Sequence, residues 1–297
     1  MNPASLYGSE RRPGELFLEA AVYGAACISV FLLLGIVGYV FFRGFRGLSL
    51  RFFLSVTSSL KGTVGIAGNL VNTLYLILLT LGTAVPVGVG AAVWLHEYTG
   101  RGALVRIVEF AVDILAGIPS VIFGLFGMVL FGEVMGLGYS LLTGALTLTW
   151  MVLPLMIKNT RTALEAVPEI WRQGALGLGA GKWDLIRTIL LPSAGKGILS
   201  GIILSVGRIT GESAALLFTA GSARILPRLG TGFWRIAAGL GEKVLESGGS
   251  LTVELYLQMQ NGEYDTAFAI GCVLILMVFL MNFLVKHAWG RTGEWKK

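Results

Sequence analysis

The chain has 297 residues, 55% hydrophobic and only 13% charged, with a formal net charge of +6. Soluble domains carry about a quarter of their residues as charges, so this composition excludes a soluble enzyme and defines an integral membrane protein. The basic excess is not a nucleic-acid signal here, because membrane proteins collect Lys and Arg in loops facing the cytoplasm.

The N-terminus, MNPASLYGSERRPGELF, is polar and runs into an apolar stretch with no small-residue cleavage site, so no cleaved signal peptide is expected. A spanning helix needs about 20 mostly apolar residues. Six segments qualify in chain order: 17–42, 70–95, 104–131, 137–157, 194–220 and 266–287. Continuous apolar runs without alternation select helices over barrel strands. The sequence therefore predicts an all-α membrane protein of about six transmembrane helices. Residues 1–64 form an N-terminal segment with the first span and its loop, 65–288 hold the other five spans, and 289–297 form a tail. Cys27 and Cys272 both sit in apolar runs, which argues against a disulfide framework.

An even number of spans puts both termini on one side. That side carries fourteen Lys and Arg, the other eight, with Arg208 inside a span and counted on neither. The bias places both termini in the cytoplasm, although the basic stretch 43–61 runs against it. Two hydrophilic segments follow from this topology: 158–193 on the cytoplasmic side and 221–264 outside. The outer one is a Gly-rich loop in which LTVELYLQMQ can form a short amphipathic helix.

The cytoplasmic segment reads as an elbow of two short helices. Pro168 suits the first turn of one, and Glu169 suits the positive end of its dipole. A glycine-rich break, GLGAG, ends it, and KWDLIRTILL forms a second helix ending at Pro192. Small residues around the break would let another protein come close. A Gly-rich connection between membrane helices is the plainer alternative.

The residues here carry a resemblance. Gln173-Gly174-Ala175, three residues, Gly179, nine residues, Ile189, one residue and Leu191-Pro192 resemble the E-A-A-x3-G-x9-I-x-L-P signature of ABC importer permeases. Gln and Gly replace the first two residues of that signature. The segments AGIPSVIFGLFG (116–127), GRITGESAALLFTAG (207–221) and LGAGKWDLIRTILLP are similar to those of the phosphate-specific importer. The ending ESAALLFTAG and the late stretch YDTAFAIGCVLILMVFLMNFL look like those of its PstA-type rather than its PstC-type permease subunit. The resemblance covers about residues 65–285. It implies the type I ABC importer permease fold, with the 165–192 segment docking a cytoplasmic ATPase. It also implies the partners: a second permease of the PstC type, an ATPase dimer of the PstB type and an extracytoplasmic phosphate-binding protein of the PstS type. Phosphate is the implied solute and the inner membrane the implied location.

Inside the fifth span stand Arg208 and Glu212. Arg208 lies about 20 Å from the cytoplasmic end, at 1.5 Å per residue. A charge at the centre of a membrane helix costs at least about 2.5–3.5 kcal/mol and as a rule faces a bundle interior or an aqueous path. An Arg fork matches phosphate oxygens and cannot lose its charge. One reading is therefore an anion path lined by Arg208, Glu212 and Ser213. The other is an interhelical salt bridge, favoured by Glu212, which would repel an anion. Asp113 on the third span is a possible charge partner of Arg208. Pro119 and Ser120 interrupt that span, either as a packing kink or by turning a free carbonyl toward the path.

Other chemistry is absent from the sequence. It has no Gly-rich loop ending in Lys-Ser or Lys-Thr, so ATP is expected to be used by a partner and no cofactor to be bound. His96 and His287 are far apart and no Cys/His cluster suggests a metal. Trp94, Trp150 and Trp289 read as residues of the interfacial belt. Two competing functions remain: a permease of another ABC importer, for sulfate, molybdate or another solute, and a secondary carrier working alone. The elbow signature and the lack of a two-half repeat argue against the carrier.

Overall fold

The computed structural model describes residues 13–58, 63–99, 102–227, 239 and 241–292. The polar N-terminus, the tail beyond 292 and most of the outer stretch 228–240 lie outside the described residues. Helix α1 (Pro13–Gly44) leads to a short helix α2 (Leu50–Leu54) and a small antiparallel hairpin, β1 (Val56–Ser58) and β2 (Thr63–Ile66). This hairpin is an addition to the expected all-helical chain. Helix α3 (Ala67–Val93) then runs into a π turn at Trp94–Tyr98. After α4 (Ala103–Gly117) and α5 (Ser120–Gly127, extended as a π segment Met128–Val134) comes α6 (Leu141–Glu165). The elbow consists of α7 (Glu169–Gly177) and α8 (Lys182–Leu185), followed by a π turn Ile186–Leu190 that feeds α9 (Leu191–Gly211). The chain closes with α10 (Ala214–Thr219), α11 (Leu251–Gln260) and α12 (Tyr264–Thr292).

Five helices are long and apolar enough to cross a membrane, and the bent pair α4–α5 makes a sixth if taken as one span. Four expected spans are there as helices or within them: α1, α3, α6 and α12. The two others differ from expectation. The third, expected over 104–131 with an interruption at Pro119 and Ser120, bends there by 103°, far more than a packing kink. Pro119 withholds a backbone donor and forces Ile118 into an extended conformation, which ends α4. The fifth, expected over 194–220, stops at Gly211 and restarts at Ala214. Pro192 was expected to end the second elbow helix. Instead the helix runs from Lys182 to Gly211. The π turn just before it loosens the ladder where the missing proline donor would leave a gap.

The centre of the bundle is the parallel pair α3 and α6, in which Leu76, Thr83 and Gly88 meet Gly144, Thr149 and Met156 in the same order. Ala84 and Ala92 of α3 and Gly144 and Ala145 of α6 are buried, and such small residues allow close approach in lipid. Hydroxyls on these helices find partners without water. Thr83 Oγ1 lies 2.6 Å from Thr149 Oγ1, and the Thr73, Thr147 and Thr149 hydroxyls donate to carbonyls four residues back in their own helices. A second cluster, Leu164, Ala175, Leu185, Ile186, Leu190, Ala194 and Ile198, ties the elbow to the bundle. Helix α1 stands apart. Its spanning face is unburied, and it packs on α12, where the Cys272 thiol donates to the Val40 carbonyl at 3.3 Å.

The described residues of the segment 221–264 are pinned to the bundle. Asn69 and Asn72 of α3 donate to the carbonyls of Gly249 and Ala223, and Leu251 N–H donates to Thr73 Oγ1. Of the two readings of LTVELYLQMQ, a short helix or a surface loop, the helix is the one found: α11 packs on α12 and α3, with Leu251, Val253, Glu254 and Gln258 buried. The Glu254 carboxylate is neutralised by Arg224 at 2.7 Å.

Candidate functional site

Arg208 sits in the last turn of α9. Gly201, two turns earlier, packs on Asn159 and Met156 of the antiparallel α6. Arg208 is therefore about 10 Å farther from the elbow, level with the middle of α6. Its side chain is exposed, and it makes no ion pair or hydrogen bond among the described residues. Lys196, Ser200 and Leu204 share its exposed face at four-residue spacing. A groove of about 320 Å³ opens beside Gly207 and Gly211, with Thr210, Thr252, Phe279 and Asn282 along it.

Glu212 was expected on the same helical face as Arg208, one turn on. The helix breaks there instead, and Glu212 is extended (φ −83°, ψ 122°). Its Oε1 accepts from Ala215 N–H at 3.1 Å, so the carboxylate caps α10, while its own carbonyl accepts from Thr252 Oγ1 at 2.8 Å. Unpaired backbone at membrane depth costs several kcal/mol per group, and these two bonds meet that demand. Ser213 stands at the N-cap of α10 but its hydroxyl makes no cap bond.

The other break lies alongside. Pro119 is the N-cap residue of α5 and Ser120 its first residue. Helices α5 and α10 pack on one another. A Cβ on Gly124 would come 2.8 Å from the Ala215 Cα, so glycine is what lets the two backbones meet. Asp113 does not pair with Arg208. Helix α4 packs on α6 rather than α9, and Asp113 lies 2.6 Å from Lys158. Next to it Glu109 pairs with Arg161, which also holds Glu165 at 2.8 Å. These groups line a cavity of about 250 Å³ between α4, α6 and the end of α3. Trp150, expected in the interfacial belt, is exposed and stands beside Phe126 and Phe131, with ring centroids 5.3 and 5.9 Å away.

The elbow is the second functional region. Gln173 and Gly174 are exposed on α7, while Ala175 is turned inward. Gly179 has φ +85° and follows the helix end. Its N–H donates to the Leu176 carbonyl and Ala180 N–H donates to the Ala175 carbonyl, the bond pattern of a glycine helix stop. Among the described residues, no other part of the protein lies within 4 Å of a Cβ at Gly174, Gly177 or Gly179, so that face is open. Leu178 beside it is 92% exposed. Ile189 and Leu191 are half-buried against the elbow cluster, and Pro192 is exposed in the first turn of α9. Sequence reasoning missed how the elbow is held. Arg172 of α7 reaches Glu97 at the end of α3, a pair 75 positions apart in sequence.

A set of membrane spans, two of them broken near mid-depth and joined to a glycine-stopped surface elbow, defines a transport permease subunit. The chain belongs to the family described as binding-protein-dependent transport system inner membrane component, which matches residues 84–291. It is 32% identical over 284 residues to the probable ABC transporter permease protein YqgI of Bacillus subtilis, covering 94% of this chain and 96% of that one. It is 38% identical over 178 residues to the phosphate transport system permease protein PstA of Xylella fastidiosa, covering 60% of this chain and 62% of the relative. In fold it is similar to a chain of a bacterial alginate ABC transporter, with a TM-score of 0.65, 17% identity, and 96% of this chain and 99% of that one covered. The protein is a multi-pass membrane permease of an ABC importer and not an enzyme; ATP hydrolysis belongs to a separate subunit.

Proposed function

We propose that this chain is one of two permease subunits of an ATP-driven phosphate importer. It would form the translocation path with a PstC-type partner, receive phosphate from a PstS-type binding protein and dock a PstB-type ATPase dimer through residues 165–192. The similarity to PstA and the PstA-like motifs favour phosphate over sulfate, molybdate or another solute. One observation carries the reading: an arginine in the last turn of α9, exposed and without a partner among the described residues, beside two helix breaks. A cation in that position stays solvated or meets an anion, because leaving it bare in lipid is too costly. In this arrangement Arg208 is a transient phosphate contact, Ser213, Pro119 and Ser120 border the path, and Glu212 shapes it by fixing the break. Both termini and the elbow are placed in the cytoplasm, as the basic bias suggests.

The test is uptake of labelled phosphate by proteoliposomes holding the complete importer. Arg208→Gln is expected to lower uptake by about 10–100-fold, the usual weight of hydrogen bonds to a charged group, with assembly unchanged. Arg208→Lys, which keeps the charge but not the fork, is expected to fall between. Full uptake by Arg208→Gln would remove Arg208 from the path. Uptake of sulfate in place of phosphate by the unaltered complex would move the chain to the other class of importer.

A further inference from the structure

At the end of α3, Glu97 gathers polar ties to both arms of the elbow. The π turn at Trp94–Tyr98 adds one residue to the helical repeat, which turns the following side chains by about 100°. Leu95 and Glu97 come to lie inside, and the Glu97 side chain is only 1% exposed. Three groups converge on it. Arg172 Nη2 of α7 lies 3.4 Å from its Oε2, His96 Nδ1 lies 2.9 Å from its Oε1, and Lys182 Nζ of α8 donates to its carbonyl at 3.5 Å. Lys182 also stands 5.3 Å over the Tyr98 ring. On α7, Arg172 is held further by Glu169 at 3.3 Å. Each arm of the elbow is thus tied to one residue, α7 through the carboxylate and α8 through the backbone oxygen.

Taking the cation away from a buried carboxylate is strongly unfavourable. The tie therefore resists the elbow's leaving α3. Helix α9 is continuous with α8 and follows the elbow by covalent connection, whereas α3 has no such link. Helix α3 is half of the central α3–α6 pair.

We propose that Glu97 is the positioning residue that clamps both arms of the elbow to α3, so that an ATPase-driven displacement of the elbow moves α3 together with α9. This rests on the reading of the elbow as the docking site of the ATPase. The measurement uses the purified importer complex in proteoliposomes, with two readouts. Amide hydrogen exchange over residues 169–185 reports the clamp, and solute taken up per ATP hydrolysed reports the coupling.

Glu97→Gln removes the charge at nearly constant shape. It is expected to speed exchange over the elbow and to lower uptake per ATP by about ten-fold, within the range usual for coupling between sites, with basal ATP hydrolysis within about two-fold of the unaltered complex. Arg172→Gln is expected to match it, the double variant to be no worse than either single one, and Arg172→Lys to restore part of the ratio. Unchanged exchange in Glu97→Gln, faster exchange with an unchanged ratio, or additive losses in the double variant would each overturn the proposal. If Glu97→Gln fails to assemble, the Arg172→Gln and Arg172→Lys pair decides, because only a charge-dependent clamp distinguishes them. Failure of the docking reading has a different signature: Gly179→Arg would leave ATPase association intact while Glu97→Gln still loosened the elbow.

Discussion

The two charges of the fifth span do different work. In the sequence, Arg208 and Glu212 stand four residues apart and read as an intrahelical pair. The break after Gly211 separates them: Glu212 becomes a cap, and Arg208 is left facing out. Glu212→Gln keeps an acceptor for the Ala215 N–H, so uptake is expected to stay near the starting value. Glu212→Ala loses the cap and is expected to lower stability by about 1 kcal/mol, seen as a lower midpoint in thermal unfolding of the detergent-solubilised protein. Exchanging Arg and Glu between positions 208 and 212 is expected to abolish uptake, because Arg at 212 cannot accept from that N–H. Recovery of transport in the exchanged protein would show that the pair acts as a salt bridge after all. Arg208 was visible in the sequence because a charge inside an apolar run is rare. The capping role of Glu212 was not, since nothing local to GRITGES says that the helix stops there.

At the level of elements, the hydrophobic runs located every span but not the breaks. Apolarity measures what faces lipid or neighbours, and a half-helix is as apolar as a whole one. Pro119 marked one interruption, yet the 103° turn depends on α5 having α10 to lie against, a contact made far along the chain. Gly124→Val would drive a branched side chain into the Ala215 backbone, where no flexible group can give way. It is expected to cost about 1–3 kcal/mol and to lower both unfolding temperature and uptake. The elbow was the most legible element, because a glycine stop and a proline leave clear marks. Its second helix was misjudged at Pro192, since a π turn cannot be read from composition. Gly179 adopts a left-handed conformation, so any substitution there mixes strain with steric blocking. Gly174 and Gly177 avoid this. Alanine in their place favours the helix by about 0.5–1 kcal/mol each, and nothing in this subunit obstructs the added methyl. If the ATPase sits close against α7, the Gly174→Ala, Gly177→Ala double variant is expected to bind it more weakly while unfolding at a slightly higher temperature. Pull-down of the ATPase against thermal unfolding separates the two effects.

For the whole molecule, the sidedness of the bundle is the property most open to a direct check. Single cysteines at Arg187 and Glu242, both exposed, in a background with Cys27 and Cys272 replaced, are expected to react from opposite sides with a membrane-impermeant thiol reagent. Labelling at 242 but not at 187 in intact cells would fit the assigned topology; the reverse would invert it. The long-range organisation was the least legible part, because packing partners such as Asn72 and Gly249 lie 177 positions apart and leave no mark on either local sequence. The pairing of α1 with α12 is of the same kind, and it imposes an order in time. Val40 and Cys272 touch across 232 positions, so at about 5–20 residues per second a ribosome needs roughly 10–50 s to deliver the second after the first. Through that interval the first span stands in the bilayer with no mate and relies on its own hydrophobicity to stay there. The contact between α1 and α12 can be sealed only after translation has reached α12, so α1, made long before it, joins its partner late in assembly.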